Sequence, residues 1–202
     1  MIPDSYFDSF ETAKYNTKNP VQRFLIRRFM SKLTELFDEA TPSAAVLELG
    51  CGEGFVAGQL SQQDGVETYV GVDASETDIA NLRAKFAKVE AHQGSIYDLS
   101  SIDRAFDVVV CAEVLEHLSD PDAALEQITS LRPSWVVLSV PHEPWFCLSN
   151  FLRGKNVTRL GNDEDHVNLW GRRRFRKLLK PHLDVVRHET SYPWQLVLAR
   201  PR

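Results

Sequence analysis

The order of elements along this 202-residue chain predicts an α/β fold: a doubly wound, mostly parallel sheet with helices on both faces. Three observations predict it. Short apolar runs at 45–50, 68–73, 106–111 and 135–140 alternate with stretches of helical periodicity, and such alternation needs parallel strands joined by crossover helices. The first run ends in "GCGEG", the glycine-rich punctuation of a strand-to-helix turn. The composition, 43% hydrophobic and 25% charged, is that of an ordinary globular protein, long enough for one domain with a substantial core.

The elements follow in order. Asn19-Pro20 is a helix start, a cap followed by a first-turn proline. Val21, Leu25, Phe29, Leu33 and Leu36 then share one helical face, and Pro42 closes the segment. "AVLELG" (45–50) reads as a strand and "FVAGQLSQQ" as the helix after it. "TYVGVD" (68–73) is the next strand, and "SETD" (75–78) is a capping box that opens the helix "IANLRAKF". "KVEAHQG" is a third strand and "FDVVVC" (106–111) a buried fourth. Asp120-Pro121 caps a helix running to about Leu131, and "WVVLSV" (135–140) is strand five. A polar insertion at roughly 142–170 and a basic helix near 171–179 precede two last strands, "LDVVRHE" and "WQLVLAR", around the turn "TSYP".

Bulk properties narrow the function. With 23 basic and 28 acidic residues the net charge is −5, which argues against a nucleic-acid binder by total charge. No apolar run is long enough for a membrane helix, and the polar, acidic start "MIPDSYFDSFETAKYN" is unlike a signal peptide. Cys51, Cys111 and Cys147 lack CxxC spacing and cannot all pair, so the expectation is reduced thiols and a cytoplasmic protein.

Ligands of such sheets bind at the carboxyl ends of the strands, and the candidate residues gather there. Gly50, Cys51, Gly52 and Gly54 occupy the first turn. The spacing is GxGxG, with Phe55 where a dinucleotide fingerprint wants glycine. The turn is either a ligand cradle or a plain glycine turn. Asp73 ends the second strand, where an acid accepts ribose hydroxyls or simply favours a helix N-terminus. Ser95 and Ile96, in "GSIYD", end the third strand beside an expected ring-binding position. "CAEVLEHL" (111–118) puts three ionisable groups at the end of the buried fourth strand. A helix starting just after Ala112 would set Glu113, Glu116 and His117 at i, i+3 and i+4 on one face, aimed at the crevice. Two carboxylates and an imidazole suit a divalent cation. A fourth ligand is available from "DEDHVNLW", where His166 and Trp170 are also i, i+4. His117 as a metal-free base or substrate contact, and a face with no chemistry, are the competing readings.

"VLELGCGEG", "GVDAS", "GSIYDL" and "FDVVVCAEVLEHL" together resemble the successive motifs of class I S-adenosylmethionine-dependent methyltransferases, over about residues 45–141. The resemblance implies a seven-stranded Rossmann-like sheet with a C-terminal antiparallel hairpin, and a methyl donor across the strand ends. Carried over by position, Gly50, Cys51 and Gly52 flank the donor's amino-acid part, Asp73 holds the ribose, and Ser95 and Ile96 border the adenine. Glu48, Ala74 and Glu113 join the donor-binding set. Ser95 departs from the aspartate that many relatives carry. "EVLEHL" with a later histidine resembles two metal-using groups, the ubiquinone-biosynthesis O-methyltransferases and the small-RNA 2′-O-methyltransferases. That likeness implies Glu113, Glu116, His117 and His166 as ligands of magnesium, manganese or zinc, with Glu116, His117 and His166 as the catalytic set. His142 stands where both groups often show asparagine. Residues 1–40 are expected to form an N-terminal arm and lid helix, with Tyr15 over the donor, and 142–170 an acceptor-side insertion, all within one domain of 1–202. Residues 153–180 hold nine basic side chains, Arg153, Lys155 and Arg159 first among them, against Asp163, Glu164 and Asp165. A base or metal beside the donor would sharpen a hydroxyl nucleophile, which favours O-methylation of a small molecule, and the basic stretch favours an anionic one. The rivals are 2′-O-methylation of an RNA end and a non-catalytic donor-binding regulator.

Overall fold

The computed structural model describes residues 2–12, 14–40, 44–100 and 102–202. The strands are β1 (Ala44–Leu49), β2 (Val66–Asp73), β3 (Val89–Gln93), β4 (Val108–Ala112), β5 (Trp135–Pro141), β6 (Leu183–Ser191) and β7 (Trp194–Pro201). They form one seven-stranded sheet in the order β3-β2-β1-β4-β5-β7-β6. The first five run parallel, while β7 lies antiparallel between β5 and β6. The chain reverses direction across the sheet between β1 and β4, so their carboxyl ends open a crevice.

Alternation along the central strands divides the core in two. Val46, Val108 and Val110 face one apolar layer, and Leu47, Leu49, Val109 and Cys111 the other. Every residue of β4 is buried, which is why its sequence is a continuous apolar run rather than an alternating one. Helices α1 (Asp4–Phe7), α2 (Pro20–Ala40), α3 (Ala57–Leu60), α4 (Glu76–Lys85), α5 (Pro121–Ser130), α6 (Trp145–Leu152) and α7 (Arg172–Leu179) complete the fold. The expected caps are present: Ser75 Oγ accepts from Asp78 N, and Asp120 Oδ1 from Ala123 N. Phe29, Leu33 and Leu36 of α2 are buried, and α2 packs on β5, β6 and β7.

Several expectations are corrected. Val21 is 64% exposed, since it lines an open cavity and not the core. The helix expected from "FVAGQLSQQ" shrinks to the four residues of α3 within a series of turns. No α-helix follows Ala112: Glu113 takes a left-handed φ of 62° and only a 3-10 turn, Leu115–His117, forms. The 142–170 insertion is not polar throughout, since it contains α6, "WFCLSNFL". His166 and Trp170 share no helix. Pro42 lies outside the described residues.

The N-terminal arm is part of the core. Phe7 and Phe10 are buried, and Tyr6, Phe10, Tyr15, Phe55 and Phe86 form an aromatic cluster. Tyr15 stacks flat on Phe55, centroids 3.8 Å apart. A carboxylate fixes this arrangement. Glu53, 3% exposed, accepts from the backbone amides of Glu11 (2.9 Å) and Thr12 (2.6 Å) and from Lys85 Nζ (2.6 Å). Burial works against its charge, yet the Glu11 amide, Lys85 and Thr12 bring its pKa down to about 2.

Two outcomes follow from this packing. Phe10→Ala should lower the unfolding free energy by about 3–5 kcal/mol, as for a buried aromatic; a urea midpoint that barely moves would show the arm to be peripheral. Glu53 has a depressed folded pKa, so its contribution is present above its ordinary value of 4.5 and lost as pH falls toward 2. Glu53→Gln should therefore cost on the order of 3 kcal/mol at pH 7. The gap to wild type should narrow below about pH 4.5 and close as pH approaches 2 in a pH series of melts.

Candidate active site

The glycine turn after β1 shapes one wall of the crevice. Gly50 and Gly52 have φ of 73° and 50°, the left-handed region that glycine enters without cost. Gly50 N donates to Val72 O at 2.7 Å, tying the turn to β2. A Cβ on Gly50 would sit 2.2 Å from Val114 Cγ2, whereas one on Gly52 would meet nothing within 4 Å. The first glycine thus permits loop-to-loop packing and the second leaves open space beside the backbone. Glu48, in the strand before the turn, is buried and accepts from Tyr69 Oη at 2.7 Å. Burial pushes its pKa up to about 8, and burial raises the Cys51 thiol as well.

A second wall comes from the end of β4. Glu113 N donates to Ser139 O, and the Glu113 carboxylate accepts from Ser139 Oγ at 3.0 Å and Lys14 Nζ at 3.3 Å. Glu116 is 1% exposed, and neither carboxylate oxygen has a hydrogen-bond partner among the described residues. Burial and the neighbouring Glu113 hold its pKa well above the ordinary carboxylate value. His117 lies beside it, its Nε2 3.9 Å from Glu116 Oε1 and its Nδ1 3.3 Å from Asp165 Oδ2.

His166 reaches this wall from the insertion. The Glu116 carbonyl accepts from the amides of Val167 and Asn168, both at 3.0 Å. Asn168 Nδ2 in turn donates to Leu118 O at 2.6 Å. These backbone bonds dock the insertion on the 3-10 turn and set the His166 ring 4.8 Å from that of His117. One ligand atom each from Glu116, His117 and His166 lies within 4.8 Å of the others. The Nδ1 atom of His166 is buried with no hydrogen-bond partner among the described residues. Burial and the adjacent His117 lower its pKa to about 4, so the ring is neutral near pH 7.

Both walls face one cavity of about 1050 Å³. Of the residues singled out from sequence, Glu48, Gly50, Cys51, Gly52, Glu113, Glu116, His117 and His166 line it. Glu113 does not join the three clustered ligand atoms, because the left-handed turn directs its carboxylate to Lys14 and Ser139. Asp73, Ala74, Ser95 and Ile96 stand outside this lining, at the ends of β2 and β3. Asp73 Oδ2 accepts from Gly52 N at 2.8 Å and Oδ1 from Ser75 N at 2.9 Å. Ala74 O accepts from Gln93 Nε2, and Ser95 Oγ from Tyr97 N. Ile96 packs against the second core layer. His142 also lies outside the lining, its amide bonded to Pro193 O.

Leu25, Phe146, Leu152 and Trp194 add apolar side chains to the cavity wall. Arg153 and Lys155 also line it, but Arg159 does not, and the basic α7 turns elsewhere. Lys155 pairs with Asp163 and Arg159 with Glu164. Arg153 donates to Ser149 O and Asn150 Oδ1 and has no carboxylate partner among the described ion pairs. Sequence reasoning missed Lys14 and Glu53, which lie in an arm and a turn without periodicity.

Comparison with known proteins fits this geometry. The family profile described as a methyltransferase domain matches residues 21–182. A probable S-adenosylmethionine-dependent methyltransferase of Mycolicibacterium smegmatis is 36% identical over 103 residues, 50% of this chain and 39% of that protein. A ubiquinone biosynthesis O-methyltransferase of Rickettsia akari is 30% identical over 123 residues, 59% of this chain and 47% of that protein. The chain thus spans less than half the length of either relative. Among solved structures, magnesium protoporphyrin IX methyltransferase of Synechocystis, with bound SAH, superposes with a TM-score of 0.69 at 19% identity over 98% of both chains. The methyltransferase domain of a bacterial CtHen1 superposes with a TM-score of 0.69 at 20% identity, covering 88% of this chain and 98% of that one. With its sheet order, its glycine turn and a family match over most of its length, the chain belongs to the methyltransferase-domain family and has the fold of the class I S-adenosylmethionine-dependent enzymes.

Proposed function

We propose that the protein is an S-adenosylmethionine-dependent O-methyltransferase of the cytoplasm, acting on a small, anionic acceptor with the help of a divalent metal ion. The observation that carries this reading is Glu116: a buried carboxylate with two unpartnered oxygens beside two imidazoles, on the wall of a cavity that begins at the glycine turn. A carboxylate placed so deeply needs a proton or a cation. The three unpaired thiols suit a reducing compartment.

The residues fit the donor. Gly52 leaves open space at the turn, Asp73 keeps lone pairs free for a ribose, and Glu48 and Glu113 offer carboxyl oxygens to an ammonium. When bound, S-adenosylmethionine supplies an electrophilic methyl group on a sulfonium. The chain's work is then alignment and deprotonation. The residues also fit a metal: Glu116, His117 and His166 would supply one oxygen and two nitrogens, a set that admits manganese, zinc or magnesium. A cation held there would lower the pKa of an acceptor hydroxyl. The neutral His166 ring is ready to act as a ligand, or to receive a proton itself.

The apolar side chains Leu25, Phe146, Leu152 and Trp194 suit a small organic body, and Arg153 in the same lining suits a carboxylate or phosphate. An RNA end is the weaker reading, since Lys155 and Arg159 are already neutralised by acids.

Donor binding is read by calorimetry with S-adenosylhomocysteine. Asp73→Ala should weaken it about ten- to a hundredfold, and unchanged affinity would remove Asp73 from the site. For the metal, manganese or zinc added to chelator-treated protein should raise the melting temperature, with about 2.7 kcal/mol of stabilisation at a hundredfold excess over Kd. Glu116→Gln should abolish the shift. Turnover that ignores chelator, with no thermal shift in wild type, would rule out the metal and leave an imidazole as the base. For the acceptor, Arg153→Glu should raise KM for a carboxylated phenol but not for its uncharged parent, with Arg159→Glu as the silent control. Equal KM values in all three proteins would sink the anionic preference.

A further inference from the structure

The 3-10 turn that carries Glu116 and His117 spans only Leu115–His117. So short a helix leaves carbonyls at its end without partners of its own. Asn168 supplies them. Its amide donates to Glu116 O at 3.0 Å. Its side-chain Nδ2 donates to Leu118 O at 2.6 Å and to Leu115 O at 3.3 Å. One residue of the insertion thus bonds three carbonyls in and beside the turn, and the Val167 amide adds a second bond to Glu116 O. The two groups that face the side chain are both acceptors, so the position calls for a donor.

Around Asn168 the segment 166–170 is pinned from both ends. Val167 and Leu169 are 65% and 40% exposed, while His166, Asn168 and Trp170 between and beside them are half-buried. Trp170 holds the far end. Its ring packs against Phe175, and its carbonyl accepts from Glu143 N at 3.2 Å and Gln195 Nε2 at 2.8 Å. His166 forms the near end, beside His117. Asn168 stands midway, two positions from the imidazole it places. On the opposite chain its bonds fall on the carbonyls before and after His117. The spacing between the Glu116–His117 pair and His166 is therefore referred to this one residue from both sides.

We propose that Asn168 is the positioning residue of the Glu116–His117–His166 cluster: it locks the insertion to the 3-10 turn and so keeps the three ligand atoms within reach of one another. This rests on the cluster proposed above as the reacting centre, and it names what assembles that cluster. Asn168 acts through the backbone of the turn. Without its side chain, the amide bonds of Val167 and Asn168 to Glu116 O and the contact of His117 Nδ1 with Asp165 O at 3.2 Å remain, and the carbonyls of Leu115 and Leu118 lose their tie to the insertion. The glycine turn is fastened separately, by Gly50 N to Val72 O. Loss of Asn168 should thus loosen the cluster and spare the donor wall. Groups that orient metal ligands are worth about ten- to a hundredfold in metal affinity.

The test uses wild type, Asn168→Leu, which keeps the volume and removes the donors, and Asn168→Ala, so that one variant failing to fold does not end it. Chelator-treated protein is titrated with manganese and, separately, with S-adenosylhomocysteine by calorimetry, and exchange of the Val167 amide is followed by mass spectrometry. Both variants should bind manganese about ten- to a hundredfold more weakly, exchange the Val167 amide faster, and bind S-adenosylhomocysteine as wild type does. Manganese affinity equal to wild type would overturn the assignment, since the cluster would then hold its spacing without Asn168. A parallel loss for manganese and S-adenosylhomocysteine would overturn it too, by showing a general loosening of the fold. Wild type that binds no manganese removes the metal reading and leaves the exchange to decide. Faster exchange at Val167 then keeps Asn168 as the residue that sets His166 against Glu116 and His117, and unchanged exchange overturns it.

Discussion

The contact between Gly50 and Val114 sets the spacing on which the cavity depends. Strands β1 and β4 are parallel neighbours, and their carboxyl ends release two loops side by side. Val114 occupies the space that any side chain at position 50 would need, with its Cγ2 atom 2.2 Å from where a Cβ would lie. The glycine turn and the acidic turn are thereby packed against each other. Glu113 and the Glu116–His117 pair leave the chain on either side of Val114, so both carboxylates are indexed to the glycine turn. The left-handed backbone at Glu113 is part of the same arrangement. Such a conformation costs of order 1–3 kcal/mol and survives only where the surroundings enforce it. Here the Glu113 amide is bonded to Ser139 and its carboxylate to Ser139 and Lys14.

Two buried glutamates show how burial can serve opposite ends. Glu53 is surrounded by donors: two amides and an ammonium satisfy its oxygens and hold it ionised. It behaves as a structural clamp. Glu116 is as deeply buried, and neither of its carboxylate oxygens has a hydrogen-bond partner among the described residues. Native proteins leave few buried polar atoms unsatisfied, and each exception calls for an explanation. The proposed metal ion, with His117 and His166 beside Glu116, would provide one. The contrast between the two carboxylates, more than the count of acids in the crevice, separates scaffold from chemistry.

The central sheet was legible because each signal there was local. β-branched runs, a glycine turn and two helix caps report on their own few residues, and the structure has them where the sequence put them. The acidic turn was legible only in composition. The i, i+3, i+4 argument assumed an α-helix, and one left-handed residue after the strand replaced it with a 3-10 turn. Glu116 and His117 still converge on His166, but through backbone bonds to Val167 and Asn168 that no pattern in the sequence announces. Helix α6 was hidden for a different reason: its apolar stretch is flanked by charged residues that made the whole segment read as polar. Lys14 was invisible because its position depends on Glu53, 39 residues away, and on a stacking contact made only in the folded state.

The residues matched by the family profile run from 21 to 182. Lys14 and Tyr15 lie before that stretch, and Tyr192, Pro193 and Trp194 after it, yet all five line the cavity. The shared body of the fold therefore supplies the glycine turn and the acidic turn, while the two flanks close the chamber around them. Flanks can be exchanged, lengthened or trimmed with the central strands left intact, so selectivity in such a protein is able to drift separately from its chemistry. The same division has a practical edge. A domain cut to the matched stretch alone, 21–182, would lose part of the cavity wall at both ends.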